Sequence, residues 1–413
     1  MTTLNETPRS NRLHIGIFGR TNSGKSSFIN AFTGQEVSIV ADVAGTTTDP
    51  VYKSMEIYPL GPCVIIDTAG FDDESELGGR RIEKTKLAAE KTDIAVILIS
   101  AEENAGEAGF QECFLQENTW YRIFQEKKTP VLFVVSKSDL GKRAETLAEK
   151  IRRETGEETL LVSTVNGEGM DKIKTMLTRL LPENYGAAYI TGNLVKKGDL
   201  VLLVMPQDIQ APKGRLILPQ VQTIRELLDK KCHVMSVTTD QFTEVLPVLT
   251  KAPKLIITDS QIFDYVYKNK PKESMLTSFS VLFAAYKGDI SCYIEGAGAI
   301  DALTEQSKVL IAECCTHAPL QEDIGRVKLP RMLRKRVGEG LQVDLVSGMD
   351  FPEKLTDYDL VIQCGACMFN RKYVLSRIER AKKQAVPMTN YGVAIAHLTG
   401  ILPQVAVPSD DLL

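Results

Sequence analysis

Short apolar runs alternate along the chain with stretches of amphipathic, helical period. The runs LHIGIF, VIID, DIAVILIS and PVLFVVS in the first half are rich in β-branched residues and have the length of strands. Strands that are apolar at every position are typical of parallel sheets covered by helices on both faces. The pattern therefore predicts an α/β fold with a mainly parallel sheet flanked by helices.

The alternation stops at residue 182 and resumes in two further series. LVLLVMP, CHVMSVT and KLIITD predict the strands of a small α/β unit, with amphipathic helices between them. A charged, Pro-containing stretch, KNKPKESML, then precedes a third series of strands. We expect three domains, over 1–182, 183–272 and 273–413.

Composition narrows the class of protein. The 413 residues are 43% hydrophobic and 25% charged, and 49 Lys and Arg face 53 Asp and Glu. The chain lacks the excess of basic residues that would favour nucleic-acid binding. Every apolar run is far shorter than the roughly 20 residues of a membrane span. The start of the sequence has no apolar stretch of the secretory kind, so we expect a cytoplasmic protein. The eight cysteines then predict reduced thiols or metal ligands rather than disulfides.

A phosphate-binding loop is the most specific local motif. Residues 19–26, GRTNSGKS, fit G-x-x-x-x-G-K-S/T between a predicted strand and a predicted helix. Glycines let the backbone wrap a phosphate chain, and the N–H groups at the helix start face its oxygens. Lys25 is expected to reach the β- and γ-phosphates, and Ser26 to bind Mg²⁺. The expected contacts of this loop come from Gly19, Asn22, Ser23, Gly24, Lys25, Ser26 and Ser27.

Further GTPase elements follow in order. VAGTTTDP (43–50) is a switch candidate, in which Thr47, or its rival Thr46, supplies a hydroxyl to Mg²⁺. The strand VIID ends in D-T-A-G, where Asp67 can hold Mg²⁺ through water and the Gly70 N–H can meet the γ-phosphate. With Lys25, these residues form the expected catalytic set.

The base-reading elements select guanine. Ser136-Lys137-Ser138-Asp139 resembles N-K-x-D, in which the Asp accepts two N–H bonds from guanine and the Lys stem covers the base. Ser136 stands where Asn is usual. TLLVSTVNGEG supplies the last strand and a base-contacting loop at Ser163. Together these elements favour GTP over ATP.

Two residues bear on the rate of hydrolysis. Phe71 follows D-T-A-G where Ras-like enzymes carry a water-orienting Gln, so we expect slow intrinsic hydrolysis. GRTNSGKSS with GTTTD resembles the Era/TrmE branch of GTPases. In its potassium-dependent members the Asn at the position of Asn22 helps to hold K⁺, which stabilises charge beside the phosphates. The resemblance implies stimulation by K⁺.

Cysteines follow two strands of the third series. C-C-T-H begins at Cys314 after VLIAE, and C-G-A-C begins at Cys364 after DLVIQ. If those strands are neighbours, their thiols converge at one sheet edge. The set Cys315, His317, Cys364 and Cys367 is compatible with tetrahedral zinc and with an iron–sulfur cluster, and a redox pair or core cysteines remain as alternatives. A metal or cluster is favoured. Cys314 is expected to face the core, because neighbouring strand residues face opposite ways.

Longer motifs resemble the HydF family of FeFe-hydrogenase maturation GTPases. The similarity is carried by ECCTHAPLQEDIGRVKLPR, DLVIQCGACMFNRK and PMTNYGVAIAHLTG. The family pattern is C-x-H followed, after a long gap, by H-C-x-x-C, and the second His is Gln363 here. The resemblance implies a scaffold that holds a 4Fe–4S cluster and passes a transient 2Fe precursor, built by the radical-SAM maturases HydE and HydG, to apo-FeFe-hydrogenase.

The resemblance also implies a role for each domain: GTP binding for 1–182, dimerisation for 183–272 and cluster binding for 273–413. It implies a ligand set as well. Cys315, Cys364 and Cys367 would hold the cluster and leave one iron open or weakly capped by His317, by Glu322 or by an exogenous ligand. GTP turnover would act as a switch on partner binding. A homodimer or higher homo-oligomer is implied, with no nucleic acid and no membrane as partner. The alternatives are an Era/TrmE-like GTPase with a structural zinc tail acting on RNA or ribosomes, and a redox sensor whose thiols gate hydrolysis.

Overall fold

The computed structural model describes residues 7–34, 50–70, 78–102, 107–181, 185, 189–206, 216–314 and 323–409. The chain forms two compact units, Met1–Glu183 and Asn184–Leu413. Each unit is an α/β structure, as the alternation of apolar runs and amphipathic stretches predicts.

The first unit is built on one sheet. Its described strands are β1 (Leu13–Phe18), β2 (Val51–Ile57), β3 (Gly61–Asp67), β4 (Ile94–Ser100), β5 (Val131–Ser136) and β6 (Thr159–Leu161). They lie in the order β2-β3-β1-β4-β5-β6. Neighbours are parallel except β2 and β3, which are antiparallel. β1, β4 and β5 are buried at every position, which explains their uniformly apolar sequences.

Helices connect these strands. They are α1 (Lys25–Thr33), α2 (Gly78–Glu90), α3 (Glu107–Glu126), α4 (Lys142–Thr155) and α5 (Met170–Arg179). In α4 the buried residues Ala144, Leu147, Ala148 and Ile151 recur at helical spacing and join the core beside β5. Gly156 ends this helix in the left-handed region, at φ 75°, and its N–H donates to the carbonyl oxygen of Arg152.

The second unit holds two parallel sheets. The first contains β7 (Leu200–Val204), β8 (His233–Val237), β9 (Leu255–Thr258) and β10 (Met275–Ser278), in the order β10-β9-β7-β8. The second contains β11 (Lys308–Ala312), β12 (Gln342–Val346), β13 (Leu360–Gln363) and β14 (Met388–Asn390), in the order β12-β11-β13-β14. The expected boundary at residue 272 precedes β10, which pairs with β9.

The helices of this unit pack on both sheets. They are α6 (Leu218–Asp229), α7 (Phe242–Val245), α8 (Phe263–Asn269), α9 (Phe279–Lys287), α10 (Ile290–Ala297), α11 (Leu329–Val337), α12 (Arg371–Lys383) and α13 (Tyr391–Leu398). One hydrophobic core contains residues of both sheets, Leu202 and Ile256 from the first and Leu310 and Val361 from the second. The two sheets are therefore parts of one packed body.

Helix α9 lies between the two sheets. Phe279, Leu282 and Phe283 pack in the core beneath the first sheet, whereas Val281 and Ala284 pack in the core that both sheets share. Among the described residues, no helix is both long enough and apolar enough to cross a membrane.

Candidate functional site

The phosphate-binding loop joins β1 to α1. Gly19 has φ +154°, and a Cβ there would lie 2.4 Å from the carbonyl oxygen of Leu98, so no other residue fits without movement. Gly24 caps α1 at φ 90°, and Asn22 also lies in the left-handed region, at φ 63°. Lys25 Nζ donates to the carbonyl oxygens of Gly19 (2.9 Å) and Arg20 (2.6 Å). The lysine ammonium therefore lies across the loop that the motif predicts.

Ser136 connects this loop to the base-reading loop. Its side chain is buried, and its Oγ donates to the carbonyl oxygen of Ser23 at 2.8 Å. The residue that departs from N-K-x-D thus makes a direct link between the end of β5 and the phosphate-binding loop. The partners are 113 positions apart, so the sequence gives no sign of the bond.

The structure brings the two base-reading elements together. Ser163 Oγ donates to Asp139 Oδ1 at 2.8 Å, and the Ser138 N–H donates to the carbonyl oxygen of Val162 at 3.0 Å. Lys137 adopts φ 58° and pairs through Nζ with Glu102. The expected guanine contacts therefore belong to two loops that are joined by hydrogen bonds. These contacts are Lys137, Asp139 and Ser163.

The magnesium side of the pocket is described in part. Asp67 ends β3 opposite Ile17 of β1, and the Thr68 hydroxyl donates to the carbonyl oxygen of Ile17 at 2.7 Å. Ser26 is the second residue of α1, and Gly70 ends the described segment after β3. Of the described Mg²⁺ candidates, Asp67 thus ends β3 and Ser26 follows the adjacent strand β1. Thr46, Thr47 and Phe71 lie outside the described residues.

A buried ion pair supports the phosphate-binding loop. The sequence did not predict this pair. Glu117 of α3 is fully buried and accepts two bonds from Arg20, at 2.8 Å to Nε and 3.3 Å to Nη2. Such a two-bond pair fixes the orientation of the guanidinium as well as its position. The partners are 97 residues apart. Arg20 belongs to the phosphate-binding motif but Glu117 belongs to no motif, so pattern reading could not have paired them.

The cysteine motifs meet at the carboxyl edge of the second sheet of the second unit. β11 and β13 are parallel neighbours, with Ala312 opposite Gln363. The Cys364 N–H donates to the carbonyl oxygen of Ala312 at 3.0 Å, and the Cys314 N–H donates to Cys364 Sγ at 3.1 Å. The condition for convergence, that these two strands are neighbours, is met. The candidate ligands Cys315, His317 and Glu322 lie outside the described residues.

The two described candidate ligands, Cys364 and Cys367, lie on a loop between β13 and α12. Hydrogen bonds from the Cys314 thiol, and from the N–H groups of Ala366 and Cys314, lower the pKa of Cys364 against the opposing effect of burial. Burial raises the pKa of Cys314, which packs in the core as strand alternation predicts. Two thiols on one loop beside the end of β11 fit a thiolate-liganded metal or cluster. Within the described residues alone, no group of three His, Cys, Asp or Glu side chains could hold a metal ion.

Gln363 directly precedes Cys364 and contacts α10. Its side chain is fully buried, and Nε2 donates to the hydroxyl of Tyr293 at 3.4 Å. Its Oε1 has no hydrogen-bond partner among the described residues. Gln363 therefore belongs to the core beside α10.

A buried lysine lies beneath the cysteine loop. Lys287, the last residue of α9, is 2% exposed, and its Nζ donates to the carbonyl oxygens of Phe369 (2.7 Å), Cys367 (3.2 Å) and Ala366 (3.4 Å). Burial lowers its pKa to about 8, and the neighbouring thiols, Cys367 foremost, oppose that shift. In sequence, Lys287 resembles an ordinary solvated residue at a helix end, so no signal marked it.

The first unit defines a P-loop GTPase domain, a class that binds and hydrolyses GTP with Mg²⁺. A family model described as a 50S ribosome-binding GTPase matches residues 14–137. Two further models match within the second unit, the hydrogen maturase F dimerization domain over 190–288 and the tetramerization domain over 291–408. These two models together cover just over half of the sequence. The chain belongs to the hydrogen maturase F (HydF) family.

Individual relatives match part of the chain. The tRNA modification GTPase MnmE of Lactobacillus helveticus is 32% identical over 173 residues, 41% of this chain and 34% of the relative. GTPase Der of Wolinella succinogenes is 43% identical over 90 residues, 21% of this chain and 19% of the relative. The chain spans about a third to a half of the length of the first curated relatives. The structure of Aquifex aeolicus Era is 19% identical, with a TM-score of 0.36 over 63% of this chain and 99% of that one.

Proposed function

We propose that this chain is the scaffold and carrier GTPase of FeFe-hydrogenase maturation. In this role it holds a 4Fe–4S cluster, receives a 2Fe precursor as cargo and delivers it to apo-FeFe-hydrogenase. Membership of the HydF family supports the proposal, because two family-specific domains follow the GTPase domain. The radical-SAM maturases HydE and HydG are the proposed suppliers of the cargo.

One observation in the structure carries the cluster site. The Cys314 N–H lies 3.1 Å from Cys364 Sγ, and the next residue along the chain is Cys315. Consecutive Cα atoms are about 3.8 Å apart, and this covalent link to Cys314 is the reason for including Cys315 in the proposed ligand set. Cys315, Cys364 and Cys367 are therefore the proposed thiolate ligands, and a bound cluster would supply an iron that the cargo can approach.

The fourth iron ligand is proposed to be exchangeable. His317 and Glu322 follow Cys315 by two and seven positions and are the candidate caps in the chain, with an exogenous ligand as the alternative. Thiolates are the usual protein ligands of iron–sulfur clusters, whereas a carboxylate oxygen is a harder and weaker donor for them. A weak cap suits a scaffold, because an incoming ligand can displace it.

The GTPase domain is proposed to act as a switch on partner binding. We assign GTP with Mg²⁺ to Ser26, Thr47 and Asp67, and slow hydrolysis stimulated by K⁺ to a site that includes Asn22. The left-handed backbone of Asn22, at φ 63°, presents its side chain from a tight turn of the phosphate-binding loop. The dimerization and tetramerization domains support a homo-oligomer. The reducing cytoplasm is the proposed compartment, since the ligands must remain thiols.

Anaerobic reconstitution with ferrous iron and sulfide tests the cluster. The reduced wild-type chain is expected to give a 4Fe–4S EPR signal, and Cys315→Ala, Cys364→Ala and Cys367→Ala each to lose it. Cys292→Ala is the matched control, because Cys292 is a partly exposed thiol of α10 in the same unit. Its signal is expected to match the wild type.

Two results would contradict the proposal, and each would favour a different alternative. Tight binding of one zinc ion, with no EPR signal after reconstitution, would favour the GTPase with a structural zinc tail that acts on RNA or ribosomes. A chain that takes up neither metal, and whose hydrolysis rate follows the thiol oxidation state, would favour the redox sensor.

A further inference from the structure

The C-x-x-C loop is built around one buried ammonium group. Lys287 Nζ has three acceptors, the carbonyl oxygens of residues 366, 367 and 369, and all three belong to this loop. An ammonium that is 2% exposed is stable only where its donors are satisfied. The loop therefore supplies the groups that permit burial of Lys287, and Lys287 in turn fixes the loop.

The loop needs such support because its backbone is unfavourable. Ala366, between the two cysteines, adopts φ 51°, in the left-handed region that non-glycine residues rarely occupy. Such a conformation persists only where surrounding contacts determine it. Hydrogen bonds from Lys287 to the carbonyl oxygens of Ala366 and of the following residue, Cys367, are contacts of this kind.

A second bond runs in the opposite direction. Arg371, the first residue of α12, follows the loop directly, and its Nη1 donates to the carbonyl oxygen of Tyr286 near the end of α9. A cation is favourable there, because the last carbonyl oxygens of a helix lack partners and carry partial negative charge. Lys287 thus reaches from α9 to the loop, while Arg371 reaches from the loop's end back to α9.

Helix α9, to which both Lys287 and Arg371 connect the loop, is itself anchored in the core. At the other end of the helix, Ser278 of β10 caps α9, and its Oγ accepts from the Val281 N–H at 3.2 Å. Seven of the nine residues of α9 are buried. The helix that carries Lys287 is therefore anchored in the core of the dimerization domain as well as beside the cysteines.

We propose that Lys287 is the positioning residue of the cluster site, which together with Arg371 clamps the C-x-x-C loop onto α9 so that Cys364 and Cys367 present their thiols to one metal centre. The nature of that centre rests on the function proposed above. The clamp itself does not, because it is a property of the metal-free chain.

Hydrogen–deuterium exchange of the full-length metal-free chain tests the clamp directly. Lys287→Met keeps most of the side-chain volume but removes all three hydrogen bonds, so amides of residues 364–370 are expected to exchange about tenfold faster or more. Lys382→Met is the matched control. The Lys382 side chain is half exposed, and its Nζ pairs with Asp289 Oδ2 at 2.7 Å. No change in the exchange of the loop amides is expected for this variant. Equal exchange in wild type and Lys287→Met would overturn the clamp.

A graded variant and a cluster readout complete the test. Lys287→Gln retains two N–H donors without the charge, so exchange is expected to lie between wild type and Lys287→Met, and this variant replaces Lys287→Met should the latter not fold. After iron and sulfide reconstitution, Lys287→Met is expected to bind less iron per chain and to show an altered EPR line shape, with partial recovery in Lys287→Gln. A wild-type chain without a cluster would refute the proposed function alone, whereas unaltered iron content and line shape in both variants would refute the positioning role.

Discussion

Replacement of Asp139 by Asn is expected to change the base that the pocket accepts. An ionised carboxylate only accepts hydrogen bonds, and guanine offers two donors on one edge, N1–H and the 2-amino group. Ser163 Oγ holds Asp139 Oδ1 at 2.8 Å, so the carboxylate is oriented before a base arrives. Asn turns one acceptor into a donor, which opposes guanine and matches the additional carbonyl of xanthine.

The size of the effect follows from two charge-assisted bonds. Each such bond contributes about 1.5–3 kcal/mol, so Asp139→Asn should weaken GDP binding about 10²- to 10⁴-fold. Ser163→Ala removes only the orienting hydroxyl, which corresponds to about 1 kcal/mol or about fivefold. Because Ser163 acts through Asp139, the double variant should show a coupling free energy of about 1 kcal/mol.

Competition between a fluorescent GDP and unlabelled GDP or XDP measures both quantities. Asp139→Asn should bind XDP more tightly than GDP, and the four dissociation constants of the double-mutant cycle give the coupling. Guanine preference retained in Asp139→Asn would refute the assignment of Asp139. Additive effects of the two substitutions would refute the orienting role of Ser163.

Three further outcomes test other parts of the fold. Gly19→Ala should abolish measurable GDP binding in a titration, since its Cβ would lie 2.4 Å from a carbonyl oxygen, whereas Gly156→Ala, with open space around it, should leave binding intact. Burial raises the pKa of Cys63 from 9.0 to about 12, so the folded state retains the proton. The contribution of the Cys63 thiol to the free energy of unfolding is therefore lost as pH rises from about 9 towards 12. Urea unfolding should show this free energy falling by about 1.4 kcal/mol per pH unit, a fall that is absent in Cys63→Ala. GTP hydrolysis should be faster in K⁺ than in Na⁺, and Asn22→Ala should remove that difference; equal wild-type rates would exclude the K⁺ role.

The GTPase domain could be predicted because its information is local. A strand, a glycine-rich loop and a helix start follow one another directly, and φ values of 154° at Gly19 and 90° at Gly24 are conformations that those residues permit. The supports of the loop could not be predicted. The bond between Ser136 and Ser23 joins positions 113 apart, and only the order of strands in the sheet brings them together.

The cysteine site, like the phosphate-binding loop, could be predicted only in part. Residues at the carboxyl ends of strands could be assigned to one sheet edge, and the pairing of β11 with β13 confirms that step. The chemistry of Lys287 could not be foreseen, because a lysine at a helix end is usually solvated. Its burial depends on the path of a loop about 80 residues further along the chain.

Strand alternation explains why the Gln363 side chain is buried in the core. Along β11, Ala312 and then Cys314 pack in the core that the two sheets share, and along β13, Val361 packs in that core while Gln363 reaches Tyr293 of the same core. A side chain at position 363 therefore points towards α10, and the thiols of the C-x-x-C loop come only after the strand has ended. Gln363 thus makes a buried contact with Tyr293, and Cys364, Cys367 and the residues that follow Cys314 remain the metal ligands that we propose.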